Sequence, residues 1–157
     1  QVGSSAASDV YKRQPLPQGC PWWELKLDLL LPCSISGLIN AEMASALRVT
    51  SVVPAANAPF QSPQLADALR QRGIRVLPDP LVNAGAVIAD SIERFSPDAW
   101  KDAGAKDVYA FVREEVHRRA TDYLNQRDQG LSVGAALNEV AAAPATDPIG
   151  LSFGEAA

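Results

Sequence analysis

The stretch LDLLLPCSISGLIN (residues 27–40) decides how the rest of the chain is read. Leu27 to Cys33 is a short, nearly all-apolar run halted by Pro32, the form expected of a strand buried on both faces. Two later stretches repeat it: Ser51-Val52-Val53 is stopped by Pro54, and Ile74 to Leu77 by Pro78. The segments between are helical in pattern. SGLINAEMASAL (36–47) places Leu38, Ile39, Met43 and Leu47 on one face; SPQLADALRQRG (62–73) offers Ser62 as N-cap, Pro63 at the first helical position and Gly73 as the stop. Strand, helix, strand, helix, strand at this spacing predicts an α/β fold, a doubly wound parallel sheet of about three strands with right-handed crossovers.

Beyond Pro80 the pattern is helical almost to the end. NAGAVIADSIERF predicts a helix starting near Asn83, SPDAW a capped turn, and Asp107 to Gln126 an amphipathic helix roughly 30 Å long. Val108, Val112, Val116, Ala120 and Leu124 recur every fourth residue on it and are expected to bury as one stripe. Gly130 ends that segment, Ser132 caps a last helix through Ala142, and residues 144–157 read as a flexible tail.

The opposite end reads as no part of the fold. The chain does not begin with Met, and its single Met is Met43. Back-translated, Ser4 through Gln14 matches a transposase-type sequencing adapter residue for residue, so residues 1–14 are set aside as an artefact. The expected organisation is then the distal half of a nucleotide-binding domain over 15–95, a helical segment over 96–143, and the tail.

Composition narrows the class. Hydrophobic residues make up 47% of the chain, which is globular. Removing Lys12, Arg13 and Asp9 with the adapter takes the formal charge from −4 to −5, against a nucleic-acid partner. No apolar run approaches the roughly 20 residues that span a bilayer, so no membrane role is expected. Cys20 and Cys33 are too few for a disulfide framework and too far apart for a metal knuckle. Two reduced thiols in a cytoplasmic protein, with no metal site, is the expectation.

In an open parallel sheet, ligands bind beyond the carboxyl ends of the strands. Here those ends are PCSISG, PAANAP and PDPLVNAGAV. All three are rich in small residues that let a ligand approach backbone, and two carry Asn, which both donates and accepts. The third runs into a helix N-terminus, where free N–H groups favour an anion. Singly, each is an ordinary strand-to-helix turn; together they line one rim.

These residues resemble the Glu/Leu/Phe/Val dehydrogenases. LLLPCSISGLIN, VVPAANAPF and VLPDPLVNAGAVI follow that family's order: a Pro-Cys/Ala-Ala turn, a Gly/Ala-Ala-Asn turn, then Pro-Asp followed by Asn-Ala-Gly-Gly-Val. The resemblance runs from about Leu27 to Ile88 and is nearest the leucine, phenylalanine and valine branch. It implies a Rossmann-like domain and NAD- or NADP-dependent oxidative deamination of an L-amino acid to a 2-oxo acid and ammonia, in an enzyme that is a homo-oligomer at full length. It also implies that Cys33, Ser34, Ala56 and Asn57 border the nicotinamide end of the cofactor, and that Asn83, Gly85, Val87 and Asp90 line the amino-acid pocket.

Departures and gaps qualify what is carried over. Ser34 stands for the usual Ala, and Ala86 for the second Gly of the pattern. Asp90 stands where glutamate-specific members carry Ser and leucine-type members an apolar residue. Facing the pocket, Asp90 repels a side-chain carboxylate and disfavours glutamate; turned away, it pairs with Arg94 one helical turn on. No G-x-G-x-x-G turn follows a strand. The family's catalytic base is a Lys of an N-terminal domain, and no Lys here is placed for that role, so no catalytic residue is assigned and the chain alone is expected to be inactive. His117, among Glu115, Arg118 and Arg119, reads as part of a solvated face, and Trp22, Trp23 and Trp100 as packing anchors. The rival reading is a small non-catalytic doubly wound binding or regulatory module, which explains the strands but not the three ordered motifs.

Overall fold

In the computed structural model, which describes residues 18–143, three strands lie in the order β1 (Lys26–Leu30), β2 (Arg48–Val52), β3 (Arg75–Val76), all parallel. Lys26 stands opposite Arg48 and Leu30 opposite Val52, while Val52 in turn stands opposite Val76. The open parallel sheet with helical crossovers is the α/β, Rossmann-like arrangement expected. The stretch read as an adapter and the tail at 144–157 lie outside the described residues.

Helix α1 (Ala41–Ala46) links β1 to β2, and α2 (Pro63–Gln71) links β2 to β3. Both pack on one apolar cluster with Ile39, Leu47, Val52 and Leu69 fully buried at its centre. Trp22 and Trp23 meet edge to face, with centroids 5.6 Å apart, and close the cluster beside β1, the anchoring role expected of them. After β3 the chain is helical: α3 (Asp79–Val82), α4 (Gly85–Phe95), α5 (Pro97–Asp102), α6 (Ala105–Asp128) and α7 (Val133–Ala142). A second cluster joins Leu81 of α3, Tyr123 of α6, and Ala136 and Val140 of α7.

Helix ends follow the local sequence. Gly73 (φ 81°) and Gly130 (φ 90°) close α2 and α6 in the same way. In each case the glycine N–H reaches the carbonyl three residues back, and the next N–H the carbonyl five residues back, the doubly bonded C-terminal motif that only a left-handed residue completes. Ser132 Oγ accepts the Ala135 N–H at 3.1 Å at the start of α7. Ser62 occupies the N-cap of α2, but its side chain makes no capping bond; Pro63 sets the first turn instead.

Three expectations are corrected. The helix predicted over 36–47 starts only at Ala41, because Asn40 caps it through the Met43 N–H at 2.9 Å and Ile39 instead bridges in parallel to Phe60. The strand at Leu27 is not buried on both faces: β1 has only β2 beside it among the described residues, and Leu29 and Leu31 are 49% and 53% exposed. The four-residue stripe on α6 is half-buried throughout, whereas the fully buried positions are Glu115 and Tyr123. A spacing of four advances about 40° beyond a full turn at each step, so a stripe of five such residues winds around the helix and cannot face one core.

Candidate functional site

The carboxyl ends of β1, β2 and β3 feed three loops, and hydrogen bonds lace the first two together. The Pro32 carbonyl accepts from Ala55 N at 2.9 Å and Ala56 N at 2.8 Å; Gly37 N donates to Ala58 O at 2.8 Å and Ile39 N to Pro59 O at 2.9 Å. Ser36 Oγ donates to the Asn57 carbonyl at 2.7 Å. The third loop joins through Asp79, whose Oδ2 accepts the Ala58 N–H at 2.8 Å. Ala58 has φ 44°, and among the described residues it is the one non-glycine residue with positive φ.

This lacing places the four residues assigned to the cofactor on adjoining loops. Cys33 and Ser34 are exposed, the Cys33 thiol donating to the Leu31 carbonyl at 3.2 Å. Ala56 is buried and serves as packing under the rim. Asn57 is exposed; its backbone carbonyl is taken by Ser36, and its carboxamide makes no hydrogen bond to the described residues, so all its donor and acceptor capacity faces outward.

The four residues assigned to the substrate sit farther along. Asn83 is half-buried and its N–H donates to the Asp79 carbonyl at 3.0 Å. Gly85 begins α4 against α6: a β-carbon there would lie 3.3 Å from Val112 Cγ1. Val87 (68% exposed) and Asp90 (exposed) point away from that contact, since they follow Gly85 by about 200° and 140° around the helix. The Asp90–Arg94 pair is not among the ion pairs of the described residues; the Arg94 guanidinium instead lies 5.7 Å over the Phe95 ring. Asn83 and Asp90 are not hydrogen-bonded to Cys33 or Ser34, so the two halves of the rim are joined through Asp79 instead.

A cavity of 530 Å³ opens beside the rim between α2, α3 and α7, with Ala58, Asp67, Asp79 and Leu137 on its wall. None of the eight assigned residues lines it. The cavity therefore shares the Ala58 and Asp79 side of the second and third loops with the rim, while the assigned residues stand outside it.

Sequence reasoning missed Ser36, Ala58 and Asp79, which hold the Asn57 turn. The signal was present in Asp79, a carboxylate placed directly after the strand-ending Pro78, where an acceptor meets free backbone N–H groups. His117 is exposed, as expected, but its neighbour Glu115 is buried (6% side-chain exposure) between Arg118 and Arg119, contrary to a wholly solvated face. Among the described residues no group of His, Cys, Asp and Glu is placed to hold a metal ion, and no helix is long and apolar enough to cross a membrane.

Comparison with known proteins bears on the same rim. Residues 3–145 match the model of the Glutamate/Leucine/Phenylalanine/Valine dehydrogenase family. The chain is 29% identical over 104 residues to phenylalanine dehydrogenase of Lysinibacillus sphaericus, covering 66% of this chain and 26% of that protein. It is 39% identical over 82 residues to valine dehydrogenase of Streptomyces albus (51% and 22% covered), and 40% over 70 residues to glutamate dehydrogenase of Thermotoga maritima (45% and 17%). The chain thus spans about a quarter or less of the length of these relatives. The fold is shared with L-tryptophan dehydrogenase from Nostoc punctiforme (TM-score 0.62, 23% identity, 83% of this chain and 36% of that one). It is shared too with the hetero-hexameric glutamate dehydrogenase from Thermus thermophilus (TM-score 0.64, 19% identity, 87% and 33%). With three ordered rim motifs, a parallel sheet that presents them together and a family match over nearly its whole length, the chain belongs to the Glu/Leu/Phe/Val dehydrogenase family.

Proposed function

We propose that the chain is the distal half of the nucleotide-binding domain, with the C-terminal helices, of an NAD- or NADP-dependent dehydrogenase. That enzyme oxidatively deaminates an apolar L-amino acid of the leucine, valine or phenylalanine kind. The observation that carries this is the outward-facing Asn57 carboxamide on a turn held from both neighbouring loops, beside exposed Cys33 and Ser34. A nicotinamide ring needs a rigid donor and acceptor at the carboxyl ends of a parallel sheet, and these residues fit that end of the dinucleotide. They do not supply the pyrophosphate end, because no glycine-rich turn follows a strand among the described residues.

When bound, the dinucleotide supplies the hydride acceptor for the amino-acid α-carbon. This chain's share is orientation: Asn57 meets the nicotinamide end, and the outward face of α4, with Val87 and Asp90, meets the side chain of the amino acid. Asp90 on that face disfavours a substrate that carries its own carboxylate there. Proton transfer and the phosphate contacts belong to a preceding domain, and β1, with Leu29 and Leu31 uncovered, is the edge at which that part joins. Oligomer formation is proposed for the complete enzyme, in line with the hetero-hexameric glutamate dehydrogenase that shares the fold.

The test joins this chain to the upstream part of its gene and measures reduction of NAD⁺ and NADP⁺ with leucine, valine, phenylalanine and glutamate. Turnover with the apolar amino acids, and none by residues 15–157 alone, is expected. Turnover by residues 15–157 alone, or an upstream sequence with no glycine-rich turn and no Lys-bearing domain, overturns the reading.

A further inference from the structure

We infer that Asp79 is a positioning residue for Asn57, acting through the single peptide unit that joins Asn57 to Ala58. The inference rests on the dehydrogenase reading. That peptide is gripped at both ends, and from two different loops. Its carbonyl, on Asn57, accepts from Ser36 Oγ at 2.7 Å; its N–H, on Ala58, donates to Asp79 Oδ2 at 2.8 Å. The next carbonyl, on Ala58, accepts from Gly37 N at 2.8 Å.

The backbone of Ala58 makes the grip necessary. This residue sits at φ 44°, in the left-handed region that a residue with a β-carbon enters only when its surroundings hold it there. Without the Asp79 carboxylate the Ala58 N–H loses its partner, and the turn is free to relax toward negative φ by rotating the 57–58 peptide. That rotation swings the Asn57 carboxamide off the line set by the Pro32 and Ser36 contacts. Asp79 forms no ion pair among the described residues, so its carboxylate is engaged by the amide and not by a competing cation. It stands at the first residue of α3, between Pro78, whose own φ is locked, and Pro80, which restricts the backbone of the residue before it.

The experiment is carried out on the complete enzyme obtained by joining the chain to its upstream part, with five variants: D79A, D79N, A58G, D79A/A58G and S36A. D79A is expected to lower kcat/KM for the nucleotide about tenfold, the scale of a misplaced orienting group. D79N, which keeps an acceptor oxygen, is expected to stay within about threefold of the parent. A58G in the D79A background is expected to recover most of the loss, because glycine occupies positive φ without help. Because the glycine also relieves backbone strain, urea unfolding of the same variants separates positioning from a general loss of stability: the D79A loss in kcat/KM is expected under conditions where D79A is still fully folded. S36A reads the same peptide from its other end and is expected to lower kcat/KM in the same direction, so it decides the matter should D79A fail to fold. Unchanged kcat/KM in both D79A and S36A, or a D79A loss that neither D79N nor A58G restores, overturns the inference while leaving the dehydrogenase reading intact. A parent enzyme that neither binds nor reduces NAD⁺ or NADP⁺ overturns the dehydrogenase reading and the inference together.

Discussion

Arg119 ties two helices through one carboxylate: its Nε donates to Glu115 Oε1 at 2.5 Å within α6, while its Nη1 donates to the Val140 carbonyl of α7 at 2.9 Å. Glu115 also receives Arg118 Nη2 at 2.8 Å. Removing one member of a buried pair strands the other, at about 3–5 kcal/mol when burial is complete. Arg118 and Arg119 keep 35% and 21% of their side-chain exposure, which screens part of the cost. Glu115→Ala is therefore expected to destabilise by about 2 kcal/mol, and Glu115→Gln by about half of that. Urea unfolding of the three proteins measures both; equal stabilities would show that α6 and α7 are held by apolar packing alone.

Ala58 predicts a gain. Its positive φ costs an L-residue about 1–2 kcal/mol relative to the right-handed region, and glycine avoids that while giving up part of it in chain entropy. Ala58→Gly is expected to raise stability by about 1 kcal/mol and to leave the N–H of residue 58 protected in hydrogen exchange. A loss of stability would mean that the Ala58 methyl contributes packing that outweighs the backbone effect.

Ser96 predicts a second gain. Its hydroxyl is buried, caps nothing at the start of α5, and has no hydrogen-bond partner among the described residues. An unsatisfied buried hydroxyl costs about 1–3 kcal/mol, so Ser96→Ala is expected to stabilise by about 1 kcal/mol. Thermal unfolding of the two proteins decides, and a drop in midpoint would count against the arrangement.

Tyr123 makes the alkaline limb of stability specific. Burial pushes its phenol above the ordinary value of 10.0, and Asp67 adds to the shift, against the opposing pull of Arg70 and Arg127. The folded state thus holds this proton more tightly than the unfolded one. The contribution is complete below pH 10.0 and is lost as pH rises through the higher folded value. Tyr123→Phe removes this contribution, so above about pH 10 its stability is expected to fall less steeply than that of the parent. Parallel curves for the two proteins between about pH 9 and 11.5 would refute the assignment.

Where a signal is local, the chain states it openly. Pro63, Gly73, Gly130 and Ser132 mark helix ends by backbone preference alone, and each is found where its chemistry requires. The rim loops were legible because strand-ending prolines and small residues repeat in order. What stayed hidden depends on partners far along the chain. Ile39 leaves the helical pattern for a bridge to Phe60, 21 residues away. Glu115 is buried because Arg119 also reaches Val140, 21 residues beyond it. The Asp79 grip on Ala58 spans 21 residues as well. An apolar run such as Leu27 to Leu31 announces a strand, but apolarity alone cannot say whether that strand has one neighbour or two.

The uncovered side of β1 also has a practical consequence for anyone who expresses this chain. A parallel strand that pairs on one side only among the described residues, flanked by the half-bare Leu29 and Leu31, is a template for cross-β aggregation between chains. Solubility on its own will then depend on protein concentration, and a charged residue at Leu29 or Leu31 is the gatekeeper that would suppress it.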